Sequence, residues 1–182
     1  MENSNKKIFS VAKTGILLAL LIVLQFSTKA LGQLVTGSSV NMVLAISAII
    51  CGFFESICIA AVSPFIAFFL GIGPAFLPLT PCIALGNIIY VLIIKLITKI
   101  LSKKNIFVNQ IIAIIISSIC KFITLYLLVV QFVCKAFVAS LKTPQIKTFS
   151  TMFSIPQLVT ALIGGFIACV ITIALKKALK KN

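Results

Sequence analysis

Apolar residues in this chain run in long unbroken blocks, and the polar residues gather in the gaps between them. That is the pattern of segments buried all round, not of helices with one wet face. Six blocks stand out, at about 8–30, 38–52, 55–71, 81–102, 107–134 and 151–176. Roughly 20 apolar residues in a helix cross the ~30 Å hydrocarbon core of a bilayer. Inside it a backbone without water must bond to itself, which leaves helix as the available conformation for single segments. The expected fold is an all-α membrane protein, a six-transmembrane-helix bundle filling residues 1–182 as one integral membrane domain.

Glycine and proline mark the breaks. Gly52 and the turn Phe53-Phe54-Glu55 close the second block. Pro64 is expected to kink the third. The stretch from Gly71-Ile72-Gly73-Pro74 through Pro78 to Pro81 is the most broken part of the chain. Pro81 itself is allowed in the first turn of the fourth helix. Lys103-Lys104-Asn105 is a short polar turn, and 135–150, with Lys142, Pro144 and Lys147, is read as a polar loop. The first block follows Lys6 and Lys7; it is too long for a signal-peptide core and lacks a good cleavage site, so it is expected to be a retained helix.

Composition agrees. Hydrophobic residues make up 61% of the 182 and charged residues 10%, against roughly a quarter charged in soluble domains. The net charge of +14 comes from sixteen lysines set against Glu2 and Glu55. With no arginine to fork onto bases or phosphates, nucleic acid is not the expected partner. The lysines are placed as topology signals instead. Eleven fall on the side of both termini (Lys6, Lys7, Lys13, Lys95, Lys99, Lys103, Lys104, Lys176, Lys177, Lys180 and Lys181). Four fall on the other (Lys29, Lys135, Lys142 and Lys147). By the positive-inside rule both termini are expected to be cytoplasmic. Six cysteines without a C-x-x-C pair, and no histidine, give no basis for a metal site or disulfide framework, so no cofactor is expected.

Lys121 belongs to neither side. It lies near the middle of the fifth block, where a lysine costs about 2.5–3.5 kcal/mol on insertion scales, so it is expected to face a cavity. At about 100° per residue, Ser117, Ser118, Thr124 and Gln131 share its face, while Tyr126 does not. Other polar side chains fall in the outer halves of their helices: Gln25, Asn41, Asn87 with Tyr90 one turn on, and Gln157 about two turns into the sixth block. The inner halves carry hardly any equivalents. Interhelical bonding alone gives no reason for that asymmetry, whereas a solute pocket open to the outside does. No catalytic set emerges: histidine is absent, Glu55 has no second carboxylate nearby, and there is no phosphate-binding G-x-x-x-x-G-K loop. Nor is there a ladder of membrane-embedded acids for coupling to protons or sodium. Uphill transport would need an energy-supplying partner. On the first helix, Ala12, Gly15 and Ala19 form a small-residue face that lets another helix approach closely.

Several patterns together carry a family likeness: Ala12/Gly15/Ala19 on helix one, Val40-Asn41 opening helix two, Leu85-Gly86-Asn87 in helix four, and Cys120-Lys121-Phe122-Ile123-Thr124-Leu125-Tyr126 in helix five. With its size and six helices, the chain resembles the substrate-binding (S) component of energy-coupling factor (ECF) transporters over essentially its whole length. The usual A-x-x-x-A face is here Gly15-x-x-x-Ala19. The resemblance implies no enzyme but a multi-pass subunit of the bacterial cell membrane that binds a vitamin or similar micronutrient from outside. It implies docking through helix one on a transmembrane coupling subunit driven by a pair of ATP-binding subunits. Substrate contacts are expected from Lys121, Asn87, Tyr90, Asn41, Gln157, Gln131, Thr124 and Gln25. Two other readings stay open: a structural or assembly membrane protein whose lysine and amides lock helices, and a self-contained small exporter or channel.

Overall fold

The structure is a computed structural model that describes residues 2–179, with side chains from 7 to 178. Lys6, Lys180 and Lys181, counted in the lysine asymmetry, lie outside those side chains, as does Asn182.

All regular structure among the described residues is helical. In chain order come α1 (Glu2–Thr28), α2 (Gln33–Ile50), α3 (Phe53–Phe69), α4 (Leu79–Ile100), α5 (Ile106–Leu125), a π-helical stretch (Tyr126–Val133), the single turn α6 (Cys134–Ala136), α7 (Thr143–Met152) and α8 (Ile155–Leu179). Six of these form the bundle, and five stretches are long and apolar enough to cross a membrane. The short one is α3, whose 17 residues reach about 25 Å at ~1.5 Å per residue. Pro64 sits inside it and, lacking an N–H, cannot bond the carbonyl a turn earlier. Beyond α3 the chain turns at Gly71 and Gly73, whose φ values of 65° and 85° suit residues without a Cβ.

Two expectations are corrected. The segment 135–150 is not simply a polar loop: α7 occupies Thr143–Met152, with a proline in its first turn and Gln145 accepting from the Lys142 N–H at 2.9 Å. The sixth block is correspondingly split, since α8 begins at Ile155. Gln157 therefore stands in the first turn of α8 rather than two turns in. What holds α7 down is aromatic packing: Phe76 stacks on Phe149 (6.1 Å between ring centroids) and meets Phe137 edge-on (5.6 Å). Around them Leu79, Leu125, Val133 and Phe153 complete a second apolar core at this end.

The main core is built on α2, with Leu21 of α1, Val43, Leu44, Ile59, Tyr90, Val91 and Ala161 buried against one another. Glycines set its spacing. A Cβ on Gly164 would lie 2.3 Å from the Ser38 carbonyl oxygen and 2.6 Å from the Met42 nitrogen. One on Gly165 would lie 2.4 Å from Ile114 and 2.8 Å from the Tyr90 hydroxyl. So α8 is wedged against α2 on one side and against α4 and α5 on the other. At the end of the bundle carrying both chain ends, Lys13 donates to the Ile50 carbonyl (2.8 Å) and Lys95 to that of Cys51 (2.7 Å). These cations satisfy carbonyls left open where α2 stops. In the same region Ser10 of α1 hydrogen-bonds Glu55.

Candidate functional site

Opposite the termini, the helices enclose a half-open cleft of about 230 Å³. Its floor is polar. Lys121, 3% exposed, donates from Nζ to Asn41 Oδ1 and to Asn87 Oδ1, both at 2.6 Å. The Tyr90 ring lies beneath the ammonium, 5.3 Å from Nζ to centroid. Asn41 passes its own amide proton to Thr160 Oγ1 (3.3 Å), whose hydroxyl donates to the Gln157 carbonyl (3.2 Å). The chain of bonds thus runs from α5 through α2 to α8, with a branch to α4.

Local sequence explains why these groups meet. Asn41 and Asn87 are nearly fully buried on α2 and α4. The Gly164 contact extends to the Asn41 Cβ, where an added methyl would come within 2.8 Å. Gly86, next to Asn87, sits under Leu125 of α5, which would be only 2.7 Å from an added Cβ. Small residues therefore bring both amides within one lysine's reach.

The ammonium carries three protons and, among the described residues, finds two protein acceptors. Among the described side chains no carboxylate answers its charge: Glu55 lies in the first turn of α3, at the other end, where α1 also begins. A cation taken out of water without a counter-charge is expensive, and amide carbonyls offset only part of the cost. The floor is thus set up to receive an acceptor atom, best an anionic one. The walls add Pro64, Phe68, Ile72, Ile83 and Phe153, apolar surface suited to the body of a small molecule.

Of the residues expected to contact substrate, Lys121, Asn87, Asn41, Gln157 and Gln25 line the cleft. Tyr90 does not line the cleft: it is fully buried, with its ring against the Lys121 ammonium and its hydroxyl donating to the Ala161 carbonyl (3.0 Å). Thr124 and Gln131 do not line the cleft. Thr124 donates back to the Cys120 carbonyl (2.9 Å), and Gln131 bonds the Tyr126 hydroxyl (3.1 Å) and Lys135 (2.7 Å). The cause for Gln131 is the π-helical stretch Tyr126–Val133. Its wider i→i+5 turn breaks the 100° step on which the shared face depended.

Sequence reasoning passed over several cleft residues. Lys29 comes from the turn between α1 and α2, Gln33 and Thr36 from the first turn of α2, and Met152 and Phe153 from the end of α7. Gln33 Nε2 donates to the Met152 carbonyl (2.5 Å), tying these two rims together. Their signal was a polar cluster in a turn, which reads equally as loop. The polar asymmetry is also weaker than expected: Asn109 and Gln110 are buried amides at the termini end, Gln110 accepting from Thr172 at 3.2 Å.

The small-residue face of α1 is open. Ala12, Gly15 and Ala19 are exposed, and nothing lies within 4 Å of the position a Gly15 Cβ would take. Packing inside the bundle does not account for it.

No curated protein and no solved structure matches the chain. The family model described as "ECF transporter, substrate-specific component" matches residues 9–176. The helical bundle, its membrane-length apolar helices and this match over nearly the whole chain agree, and the protein belongs to the family of substrate-specific membrane components of ECF transporters.

Proposed function

We propose that this protein is the high-affinity, solute-binding subunit of an ATP-driven importer in a bacterial plasma membrane, and that its solute is a small vitamin or similar micronutrient bearing a carboxylate or carbonyl. The observation that carries this reading is Lys121, buried at the floor of a cleft with no counter-ion among the described side chains and held by Asn41 and Asn87. A carboxylate on the solute supplies the missing charge, in a charge-assisted hydrogen bond of about 1.5–3 kcal/mol. The cleft's size, just below the roughly 300–1,000 Å³ usual for ligand sites, favours vitamins on the scale of niacin, pantothenate or biotin over larger ones. Gln25 and Gln157 hold the solute's remaining polar groups, and the Gln33–Met152 contact closes the rim.

Energy comes from elsewhere: a transmembrane coupling subunit and a pair of ATP-binding subunits, met through the exposed Ala12/Gly15/Ala19 face. Both termini are cytoplasmic in this reading, and the Lys121 cleft faces outward.

Thermal-shift screening of the purified protein against carboxylated and neutral vitamins tests the binding role. A specific carboxylated ligand is expected to raise the melting temperature; a scaffold or channel responds to none. Orientation is tested by single-cysteine labelling in a cysteine-free background. Thr143→Cys is expected to react from outside and Asn182→Cys only after permeabilisation, and external reaction at position 182 rules the orientation out.

A further inference from the structure

The termini end has a cleft of its own, about 580 Å³, between the last turns of α4 and α8 and the first turns of α5. Four lysines line it: Lys95, Lys99, Lys104 and Lys176. Lys95 is committed to the Cys51 carbonyl. The other three are exposed, with no ion pair or side-chain hydrogen bond given to them among the described residues. Glu55, the acid of this end whose side chain is described, is engaged by Ser10. Among the described side chains the cavity is therefore a concentration of uncompensated positive charge.

Its walls are firmly built. Asn109 donates to the Thr98 and Leu101 carbonyls, 3.0 Å each, and clamps the turn between α4 and α5. Gln110 and Thr172 join α5 to α8. On the rim stand Phe53 and Ile106, 52% and 43% exposed.

A topology signal depends on how many lysines border the membrane, not on their convergence around one concavity. Here the convergence comes with exposed apolar residues on the same rim, at the end of the membrane-length helices. Basic pockets between membrane helices suit anionic headgroups. We propose that this cleft binds an anionic phospholipid of the phosphatidylglycerol type, its phosphate among Lys99, Lys104 and Lys176 and its glycerol and upper acyl carbons against Phe53 and Ile106. A free phosphate offers the same charge but leaves that apolar rim unused.

Native mass spectrometry of the full chain in detergent tests this, with phosphatidylglycerol, phosphatidylcholine or inorganic phosphate added. The expected result is a one-to-one phosphatidylglycerol adduct, favoured over phosphatidylcholine by roughly ten-fold or more and not displaced by millimolar phosphate. The variant Lys99→Gln/Lys104→Gln/Lys176→Gln is expected to lose that preference. Lys7→Gln/Lys103→Gln/Lys177→Gln removes equal charge at the same end outside the cleft and is expected to keep it. Equal loss in both variants overturns the site in favour of diffuse surface charge. Equal retention of phosphatidylcholine overturns the anionic preference, and displacement by phosphate overturns the lipid in favour of a free-anion site. Where the triple variant does not fold, Lys176→Gln alone, at an exposed position, is expected to weaken the adduct about three-fold, and no change there also overturns the proposal.

Discussion

Gly15 on α1 and Gly164 on α8 occupy helices of 27 and 25 residues, and each stands beside a long apolar run. Their surroundings are opposite. Around Gly164 backbone atoms of α2 come within 2.3 Å and 2.6 Å of where a Cβ would be, while around Gly15 there is nothing within 4 Å. The α2–α8 seam is a close approach already made, and it brings Asn41 onto Lys121. The α1 face has the same capacity with nothing in it. Small residues in a membrane helix thus say that a close approach is possible; only the fold says whether it has been used.

The seam should break first. Gly164→Ala sets a methyl against backbone that cannot rotate away, so the cost is expected at or beyond the upper end of the usual ~1–3 kcal/mol of overpacking. A fall in melting temperature, or loss of the monodisperse protein in gel filtration, is the readout. Gly15→Ala is expected to do neither, since alanine is the better helix former. Should the two variants melt alike, the seam is not as tight as its geometry indicates.

Bulk on the open face tests its proposed use. Gly15→Leu or Ala19→Leu is expected to abolish uptake in cells expressing the coupling subunit and ATPases, because it keeps another helix away. Ligand affinity of the purified variants should stay within about two-fold of wild type, as neither residue touches the cleft. Parallel loss of binding and uptake would show that the face serves the bundle itself.

Lys121→Met separates binding from packing within the seam. It keeps bulk and removes a buried charge, so the fold should survive or gain stability. Affinity for the identified solute is expected to drop roughly ten- to a hundred-fold, given about 1.4 kcal/mol per factor of ten. Isothermal titration of both proteins in one detergent decides it; unchanged affinity assigns the lysine to helix packing.

The smallest effect belongs to Gln131→Leu. Its partners are Tyr126 and Lys135 rather than the cleft, and a change in affinity below about two-fold is expected. An effect as large as that of Lys121→Met would bring the π-helical stretch after α5 into the site.

Much was legible without coordinates. The bilayer imposes its requirement on each segment separately, so apolar length alone located the bundle helices and marked Lys121 as out of place. Asn41, Asn87, Gln25 and Gln157 were readable for the same reason: an amide inside an apolar helix is conspicuous on its own. Where the reading failed, the deciding interaction was not local. Helix α7 carries little apolar sequence and is held by Phe76 and Phe137 from elsewhere in the chain. The π-helical stretch shifted Gln131 off the Lys121 face, an effect no fixed angular step anticipates.

The sequence by itself determined the class of protein, the approximate places of its apolar helices and the presence of one displaced cation, because each follows from what a single helix costs in hydrocarbon. Tertiary structure alone decided which polar groups that cation meets, which small-residue face was filled and which left open, and that lysines from three separate segments surround one cleft. Those outcomes depend on distances between helices, set by glycines at 37, 86, 164 and 165 against neighbours far away in the chain.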